Sequence, residues 1–353
     1  MENSIEKLRE KILAGGRVEY AEALALKGAS IFGMARLARA GMAAMGYDGR
    51  VGYIVNRMIN FSNICSSRCK FCAYHARAGV IKPFVLSDEE ILKITADAEK
   101  NGAVEIMLQG GMSPEFTLEW ALSLLRKIRA AHPKLFLHVF SPSEIVAFAR
   151  GAKIEICECV RRLKDAGADS VPGAADILVD EIRKKVSPNK STVAEWTEVM
   201  RALSQNGMHS SATMTFGMGE TFENRLEHLF RVREIQDELG VFKAFIAWPL
   251  APENTEMSSL PRVGAPEFLK TVALSRIILD NIKVVQSGWL TEGMKIAELA
   301  TLFGANDMGG VLMDELVVKS AGVENSTTAP GMERAILRAG KKPFRRGGLY
   351  EEL

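Results

Sequence analysis

The feature that most constrains this fold is a repeated alternation of short apolar runs with longer amphipathic segments. The amphipathic segments have helical periodicity, and in one of them Ser87 can act as an N-cap for Glu90 three residues later. Strands that alternate with helices predict a parallel sheet, and eight of them predict a (βα)8 TIM-type barrel. An open doubly wound sheet is the alternative. The strand-like runs are YIVNRMINF at 53–61, VEIMLQ at 104–109, LFLHVF at 135–140, ADSVP at 168–172, HSSATMTF at 209–216, FKAFIAW at 242–248, VVQSGW at 284–289 and ANDMGG at 305–310.

The two ends of the chain differ from this repeating middle. The first 50 residues carry helical patterns without a strand, so we predict an N-terminal helical extension over residues 1–50. No linker rich in Pro, Ser or Gly divides the rest, and we predict one barrel over residues 51–353, completed by a C-terminal segment. We expect the basic stretch KKPFRRGG at 341–348 to be a solvated tail.

Composition excludes several classes of protein. The formal net charge is +2 over 353 residues, so nothing global points to a nucleic acid or a membrane surface as a partner. The charged start MENSIEKLREKILAGG is not a secretory signal, and no apolar run is long enough to span a bilayer. An odd number of cysteines, five, favours a metal or redox site in a reducing cytoplasm over a disulfide framework.

Three of the five cysteines stand together, at Cys65, Cys69 and Cys72, directly after the first predicted strand. Three thiolates in one loop suit a soft metal, which means zinc or an iron–sulfur cluster. Zinc would need a fourth ligand, and His75 is available. A 4Fe–4S cluster normally takes four cysteines, so with three of them one iron keeps an open coordination site for a ligand. The alternative is that the three cysteines are buried core residues that bind no metal.

Unusual short motifs follow the other strands as well. The segments are QGG, SPSE, PGAAD, GMGE and PLAPEN, one after each of the second to sixth strands. Because the active site of a barrel lies at the carboxyl ends of its strands, this placement supports the barrel and predicts where its site lies.

The segment CSSRCKFC resembles the signature of the radical S-adenosylmethionine (SAM) superfamily, and the resemblance extends over roughly residues 50–350. It includes MLQGG, FSPSE, GADSVPGAADILVDEIR, SPNKS, TFGMGET, WPLAPENT and FGANDMGG. These segments are similar to one branch, which contains the menaquinone enzymes of the futalosine pathway and the larger half of deazaflavin (FO) synthase. MLQGG and WPLAPENT are most similar to the cyclic dehypoxanthinyl futalosine synthases.

The resemblance implies a 4Fe–4S cluster held by the three cysteines, with SAM as the second cofactor. SAM cleavage would give a 5′-deoxyadenosyl radical that abstracts hydrogen from the ribose of dehypoxanthine futalosine. The sugar radical would add to the attached benzoate ring, leading to cyclisation of the substrate in menaquinone biosynthesis, and the benzoate carboxylate would need a donor in the pocket. The aromatic residues of the loop would cover the adenine, the glycine pair would approach the methionine amino group, and the arginine would clamp the SAM carboxylate. Ordinary packing, helix capping and solvent exposure are the alternatives for these residues. The predicted cofactor-binding set is Phe71, Tyr74, Gln109, Gly110, Gly111, Ser141, Glu144, Asp176 and Arg183.

A cyclisation that ends in loss of a proton needs a base, for which Glu220 and Asp307 are the candidates, both expected beyond strand ends. Turn or cap roles are the alternative for both. The resemblance also implies a small-molecule substrate and an electron donor such as flavodoxin or ferredoxin.

Two other functions stay open. Met218 and Ala247 depart from residues frequent in this branch, so a sibling radical SAM enzyme is one alternative: aminofutalosine synthase, an FO synthase subunit, or a paralogue with another substrate. A non-enzymatic zinc-binding barrel is the other.

Overall fold

The computed structural model describes residues 2–77 and 81–353. Its centre is one sheet in which every paired strand runs parallel to its neighbours. The strands are β1 (Arg50–Ile54), β2 (Asn56–Asn60), β3 (Glu105–Gln109), β4 (Phe136–Val139), β5 (Ser170–Val171), β6 (His209–Phe216), β7 (Phe242–Pro249), β8 (Val284–Gln286), β9 (Asp307–Gly310) and β10 (Lys342–Arg345).

The sheet closes on itself through its first strand. β1 and β2 are two halves of one extended run, and β1 pairs with β9 while β2 pairs with β3. The Met58 N–H donates to the Met313 carbonyl and the Met313 N–H donates to the Asn56 carbonyl (3.2 Å each), which continues the contact on the β9 side. Strand pairing is sparse at two places in the barrel wall. β4 pairs with β5 only at His138–Ser170, and β8 pairs with β9 only at Gln286–Asp307. The sheet has ten strands, which become the predicted eight when β1 and β2 are counted as one run and the tail strand β10 is left out. The predicted barrel is confirmed, and the open doubly wound sheet is wrong.

Helices surround the barrel and connect its strands. The predicted cap of α4 is present, since the Ser87 side chain accepts from the Glu90 N–H and the Glu90 carboxylate accepts from the Ser87 N–H (2.7 Å). Two short 3-10 turns lie at Ala25–Gly28 and Thr301–Phe303. The helices are α1 (Glu2–Leu13), α2 (Tyr20–Leu24), α3 (Ile31–Ala44), α4 (Asp88–Lys100), α5 (Leu118–Ala131), α6 (Pro142–Ala152), α7 (Ile156–Asp165), α8 (Asp180–Val186), α9 (Val193–Gln205), α10 (Phe222–Leu239), α11 (Ala265–Ile278), α12 (Trp289–Glu292), α13 (Met294–Ala300), α14 (Val317–Ser320) and α15 (Ala329–Arg338).

The amino-terminal helices precede the first strand and pack on the barrel from outside. α3 lies along α11, where Gly41 lets the buried Arg276 side chain come close. Arg276 donates to the Gly304 carbonyl (2.8 Å) and to the Asn306 side chain (2.9 Å), which ties this contact to the loop before β9. No helix in the ranges 2–77 and 81–353 has the length and apolar content needed to cross a membrane.

The carboxyl-terminal tail closes the floor of the barrel, at the amino ends of the strands. β10 pairs with β1, and the chain then turns inward so that Arg346 is only 3% exposed. The Arg346 guanidinium binds both carboxylate oxygens of Asp307 (2.6 and 3.1 Å) and stacks on the Tyr350 ring (3.8 Å). The expectation of a solvated tail is therefore wrong for this segment, because Arg346 finds its counter-ion inside the barrel.

Candidate active site in the barrel

A cavity of about 350 Å³ runs through the barrel interior. At one end it reaches the cysteine loop and the segments that follow the strands, with Phe71 and Leu250 in its wall. At the other end it reaches the floor, where Lys243, Arg346 and Tyr350 line it. Side chains from almost every strand face this one space, so it is the site to which the fold directs its polar groups.

The cysteine loop follows β2 and is held in place by backbone contacts. The Ser66 N–H donates to the Met112 carbonyl (2.7 Å), and the Lys70 N–H donates to the Val186 carbonyl (2.8 Å). The Met112 N–H also approaches the Cys65 sulfur (3.4 Å). The loop is thus fixed between the segment after β3 and the end of α8. Its residues Phe71 and Ala73 line the cavity.

The chemistry of the three thiols fits a bound metal cluster. Cys69 is buried, and burial raises the pKa of its thiol to about 12. Burial also raises the pKa of Cys72, against the lowering effect of the Tyr74 and His75 N–H groups that point at its sulfur. Metals bind thiolates, and a cationic centre supplies the charge that stabilises them in a buried loop. Thiolates at these positions would therefore need the positive charge that a bound iron–sulfur cluster would supply.

The loop does not have the geometry of a zinc knot. Within the part of the chain that the structure describes, no three His, Cys, Asp or Glu side chains converge on a point where one ion could sit. Ligands of one zinc ion all lie about 2.0 to 2.3 Å from it, so they must converge tightly. A four-iron cluster is larger and spreads its cysteine ligands. The Nδ1 of His75, the expected fourth zinc ligand, instead lies 3.0 Å from the Cys72 carbonyl oxygen.

The glycine pair after β3 is required by the protein's own packing. A Cβ on Gly110 would lie 2.3 Å from the Phe61 ring, and one on Gly111 would lie 2.1 Å from the Ile64 carbonyl oxygen. The glycines thus let this segment touch the cysteine loop, which is a different reason from the approach to SAM that the sequence suggests. Gln109, just before them, lines the cavity.

Ser141 and Glu144 form a capping box at the start of α6. The Ser141 N–H and hydroxyl both donate to one Glu144 oxygen (2.6 Å each), and the Gly110 N–H donates to the other (3.3 Å). Burial raises the pKa of Glu144 to about 7, against these hydrogen bonds. Neither residue lines the cavity, so the structure shows the capping role and connects α6 to the glycine pair.

Asp176 and Arg183 lie close together, with 3.9 Å between Arg183 Nη1 and Asp176 Oδ2, but each has nearer partners. Asp176 lines the cavity, has a φ of 51°, and forms an ion pair with Lys190 (2.8 Å). The Arg183 guanidinium is buried and donates to the carbonyls of Ala175 (2.6 Å) and Ser191 (3.2 Å), among others. It does not line the cavity, so the expected clamp on the SAM carboxylate is not supported by its position.

Lys190 is a site residue that the sequence analysis missed. Its ammonium lies 5.9 Å from the centre of the Phe71 ring and beside the buried Asp176 carboxylate. It belongs to the segment SPNKS, but a lysine before a helix carries no signal of burial, so only the packing reveals it.

The two aromatic residues of the cysteine loop lie in different places. Phe71 faces the cavity and contacts the apolar cluster that contains Met218 and Leu250. Tyr74 is buried behind the loop, where its hydroxyl lies 3.5 Å from the Asn60 carbonyl and its ring packs edge-on against Phe84. Phe71 is therefore placed to contact a ligand, and Tyr74 is placed to support the loop.

Neither candidate base faces the cavity. The Glu220 carboxylate accepts from the Gly217 and Met218 N–H groups (2.8 and 2.7 Å) and pairs with Arg225 (2.8 Å), so it caps the turn after β6. Asp307 is the first residue of β9, at the floor, and not beyond a strand end as expected. Both carboxylates are bonded within the protein. Glu220 does lie beyond a strand end as expected, whereas the expected placement of Asp307 is corrected.

Comparison with protein families identifies two regions. A family model described as the radical SAM superfamily matches residues 59–232, and one described as the CofH/MqnC C-terminal region matches residues 240–353. The first contains the cysteine loop, and the second contains the strands and tail that close the barrel floor.

Curated relatives cover the whole chain. A cyclic dehypoxanthine futalosine synthase of Halalkalibacterium halodurans is 37% identical over 350 residues, which are 99% of this chain and 95% of the relative. A protein of the same name from Streptomyces coelicolor is 34% identical, over 99% of this chain and 89% of the relative. A 5-amino-6-(D-ribitylamino)uracil–L-tyrosine 4-hydroxyphenyl transferase of Methanosarcina mazei is 36% identical, over 100% of this chain and 92% of the relative.

Solved structures share the fold at low identity. Methylornithine synthase (PylB) superposes with a TM-score of 0.75 at 19% identity, over 95% of this chain and 97% of that one. The FeFe-hydrogenase maturase HydG from Carboxydothermus hydrogenoformans superposes with a TM-score of 0.77 at 18% identity, over 99% of this chain and 81% of that one.

Proposed function

We propose a specific reaction for this chain, which belongs to the radical SAM superfamily. In this proposal it converts dehypoxanthine futalosine into its cyclic product in menaquinone biosynthesis. Two proteins named cyclic dehypoxanthine futalosine synthase are 37% and 34% identical to it over 99% of its length, and this is the observation that carries the proposal. A cavity of about 350 Å³ has the size of a small-molecule site, which agrees with such a substrate.

The superfamily uses a 4Fe–4S cluster and SAM, which together supply a 5′-deoxyadenosyl radical that removes one hydrogen atom from the substrate. The residues of this chain provide the setting. Cys65, Cys69 and Cys72 would hold the cluster, and Gly111 lets the segment after β3 lock their loop in place. The barrel wall excludes bulk water from the cavity and positions the substrate.

We propose that the cavity-lining members of the predicted set, Phe71, Gln109 and Asp176, contact SAM or the substrate. The buried members Tyr74, Ser141, Glu144 and Arg183 would act by holding the loops in position. The net reaction removes two hydrogens from the substrate, the second as a proton with one electron passing to an acceptor. We assign no protein base, since Glu220 and Asp307 are bonded internally.

A second candidate function has its own support. Transferases that join 5-amino-6-(D-ribitylamino)uracil and tyrosine are 36% to 38% identical to this chain. The two functions differ in substrate, so they can be separated in one assay.

The test is anaerobic reconstitution with iron and sulfide, followed by SAM and dithionite with each substrate set. Deoxyadenosine together with a product two hydrogens lighter than dehypoxanthine futalosine supports the cyclase. Conversion of tyrosine and 5-amino-6-(D-ribitylamino)uracil instead would replace it with the transferase. Cys72→Ala should abolish cluster binding and turnover, whereas Cys157→Ala, at a half-buried helix position, should retain both.

We further propose a cytoplasmic location and a flavodoxin or ferredoxin as electron donor, because a reduced cluster needs a reducing compartment and a one-electron source. All five cysteines are free thiols, which agrees with such a compartment. Residues 1–50 would form a helical extension to a single barrel over 51–353. The helices α1 to α3 precede β1, which supports that division.

A further inference from the structure

Two cationic side chains lie among the described residues that line the cavity, Lys243 and Arg346. Their situations differ. The Arg346 guanidinium is matched by Asp307 through two hydrogen bonds, so its charge is already neutralised. Within residues 2–77 and 81–353, the Lys243 ammonium forms no hydrogen bond or ion pair. It is half-buried on β7 at the floor end of the cavity.

A second polar atom without a partner lies beside Lys243. His209, on the neighbouring strand β6, also lines the cavity, and its Nδ1 is buried without a hydrogen-bond partner among the described residues. Burial lowers the pKa of His209 and the charge of Lys243 lowers it further, whereas the Val241 backbone carbonyl raises it; the effect of Lys243 shows that the two side chains are close. A buried polar atom without a partner costs stability unless a ligand or water satisfies it.

Three carboxylates of the described residues line the cavity, and none supplies that partner. Glu105 lines the same end, but burial raises its pKa, and its carboxyl group accepts from the Asn56 amide (3.0 Å). Asp176 lies at the cysteine-loop end and pairs with Lys190. Glu315, after β9, accepts from the first two N–H groups of α14 (2.7 and 3.0 Å). The floor end of the cavity therefore has one positive charge left for an anionic ligand.

We propose that Lys243, together with His209, binds the benzoate carboxylate of the substrate at the floor of the barrel. This inference rests on the proposed function and adds the orientation of the substrate: the ring carboxylate points to the floor and the sugar to the cysteine loop. The Lys243 ammonium donates to one carboxylate oxygen, and the neutral His209 ring, in the tautomer that carries its hydrogen on Nδ1, donates to the other.

The length of the cavity agrees with this orientation. From Lys243 to Leu250 the chain advances seven residues, or about 23 Å at the rise of a strand. The lysine side chain takes up part of that length, and the remainder can hold the substrate below SAM. The apolar side chains Ile246, Trp248 and Trp289 line the cavity and would face the ring and its linker.

The test compares turnover of two substrates by the reconstituted enzyme. One is dehypoxanthine futalosine, and the other is its analogue with a carboxamide in place of the ring carboxylate. The variants are Lys243→Met and Lys243→Arg, with Lys283→Met as control. Lys283 is exposed at the same end of the barrel, just before β8. A charge-assisted hydrogen bond to a carboxylate predicts a roughly 10- to 100-fold rise in KM for Lys243→Met, with kcat much less affected.

Three further results are expected if Lys243 binds the carboxylate. Lys243→Arg recovers most of the loss, Lys283→Met behaves as wild type, and Lys243→Met no longer distinguishes the substrate from its carboxamide. Equal discrimination by wild type and Lys243→Met would overturn the inference, because the residue would then not read the carboxylate.

Failure of the proposed function would be seen separately. If wild type makes deoxyadenosine without converting dehypoxanthine futalosine, the cyclase assignment fails. The inference is then tested independently of the cyclase by calorimetry on the holoenzyme. The two probes are 3-acetylbenzoate, an aryl carboxylate, and 3-acetylbenzamide, its uncharged amide. Tighter binding of the acid that disappears in Lys243→Met supports an aryl-carboxylate site, and binding that ignores the substitution refutes it.

Discussion

Substitution of Asp307 separates a structural role from the catalytic role that the sequence suggests. Asp307 and Arg346 are 2% and 3% exposed in their side chains and are joined by hydrogen bonds of 2.6 and 3.1 Å. Asp307→Asn would leave the Arg346 charge buried without its counter-ion. Removing one partner of a buried ion pair costs about 3–5 kcal/mol. At about 2 °C per kcal/mol for a large domain, the melting temperature should fall by roughly 6–10 °C.

The double variant tests whether the unpaired buried charge is what lowers the stability. Arg346→Met alone should destabilise by a similar amount, because Asp307 then stays charged and buried. Asp307→Asn with Arg346→Met should cost clearly less than the sum, since no uncompensated charge remains. Glu352→Gln is the control, because Glu352 pairs with Arg50 in the same tail but is more than half exposed, and such pairs contribute about 0–1 kcal/mol.

The assay is anaerobic thermal unfolding of the reconstituted proteins, followed by circular dichroism, together with product analysis at a temperature where all are folded. If Asp307 is the base, Asp307→Asn will have the same melting temperature as wild type and will form deoxyadenosine without cyclic product. That result would refute the structural role. A lower melting temperature for Asp307→Asn, a cost below the sum in the double variant, and cyclic product still formed by Asp307→Asn would together refute the role as base.

Three further predictions concern the cysteine loop and its surroundings. Gly111→Ala should lower the bound iron and sulfide severely, because its Cβ would lie 2.1 Å from the Ile64 carbonyl, whereas Gly151→Ala, with no atom within 4 Å, should bind both normally. Glu144→Gln should flatten the pH dependence of stability. The pKa of about 7 in the folded protein lies above the ordinary value of 4.5, so the native protein loses stability as pH rises through this range, by up to about 3 kcal/mol. Urea titrations of both proteins at pH 5 and 8 measure the difference. Cys69→Ala should give a colourless protein without the absorbance of an iron–sulfur cluster, and a wild-type protein that binds zinc and stays colourless after reconstitution with iron and sulfide would contradict the cluster assignment.

Local patterns in the sequence predicted the strands and the cysteine loop. Apolar runs at regular intervals, with helical segments between them, gave an eight-stranded barrel with strand positions close to those observed. The cap at Ser87 and the spacing of Cys65, Cys69 and Cys72 depend on residues within one turn or loop, so neighbouring letters are enough to recognise them. The cluster and SAM followed from the same local signature.

The orientation of polar side chains was decided by tertiary packing. Arg183, Glu220 and Asp307 were predicted as ligands or bases, yet each finds its partners inside the protein. Lys190 and Lys243 were not predicted as site residues. Lys243 lines the cavity, and Lys190 pairs with the cavity-lining Asp176. A strand places alternate residues inward, but whether an inward charge is free depends on what another segment brings to it.

The floor of the barrel shows most clearly which features the sequence determines and which only the tertiary structure decides. The sequence by itself determined that parallel strands would surround an interior and that a thiolate loop would stand at their carboxyl ends. Only the tertiary structure decided that Arg346 of the tail returns to Asp307 of β9, and that the bond between Met58 and Met313 closes the barrel. Such contacts join residues far apart in the chain, and their energy comes from burial and charge pairing that exist only once the segments meet.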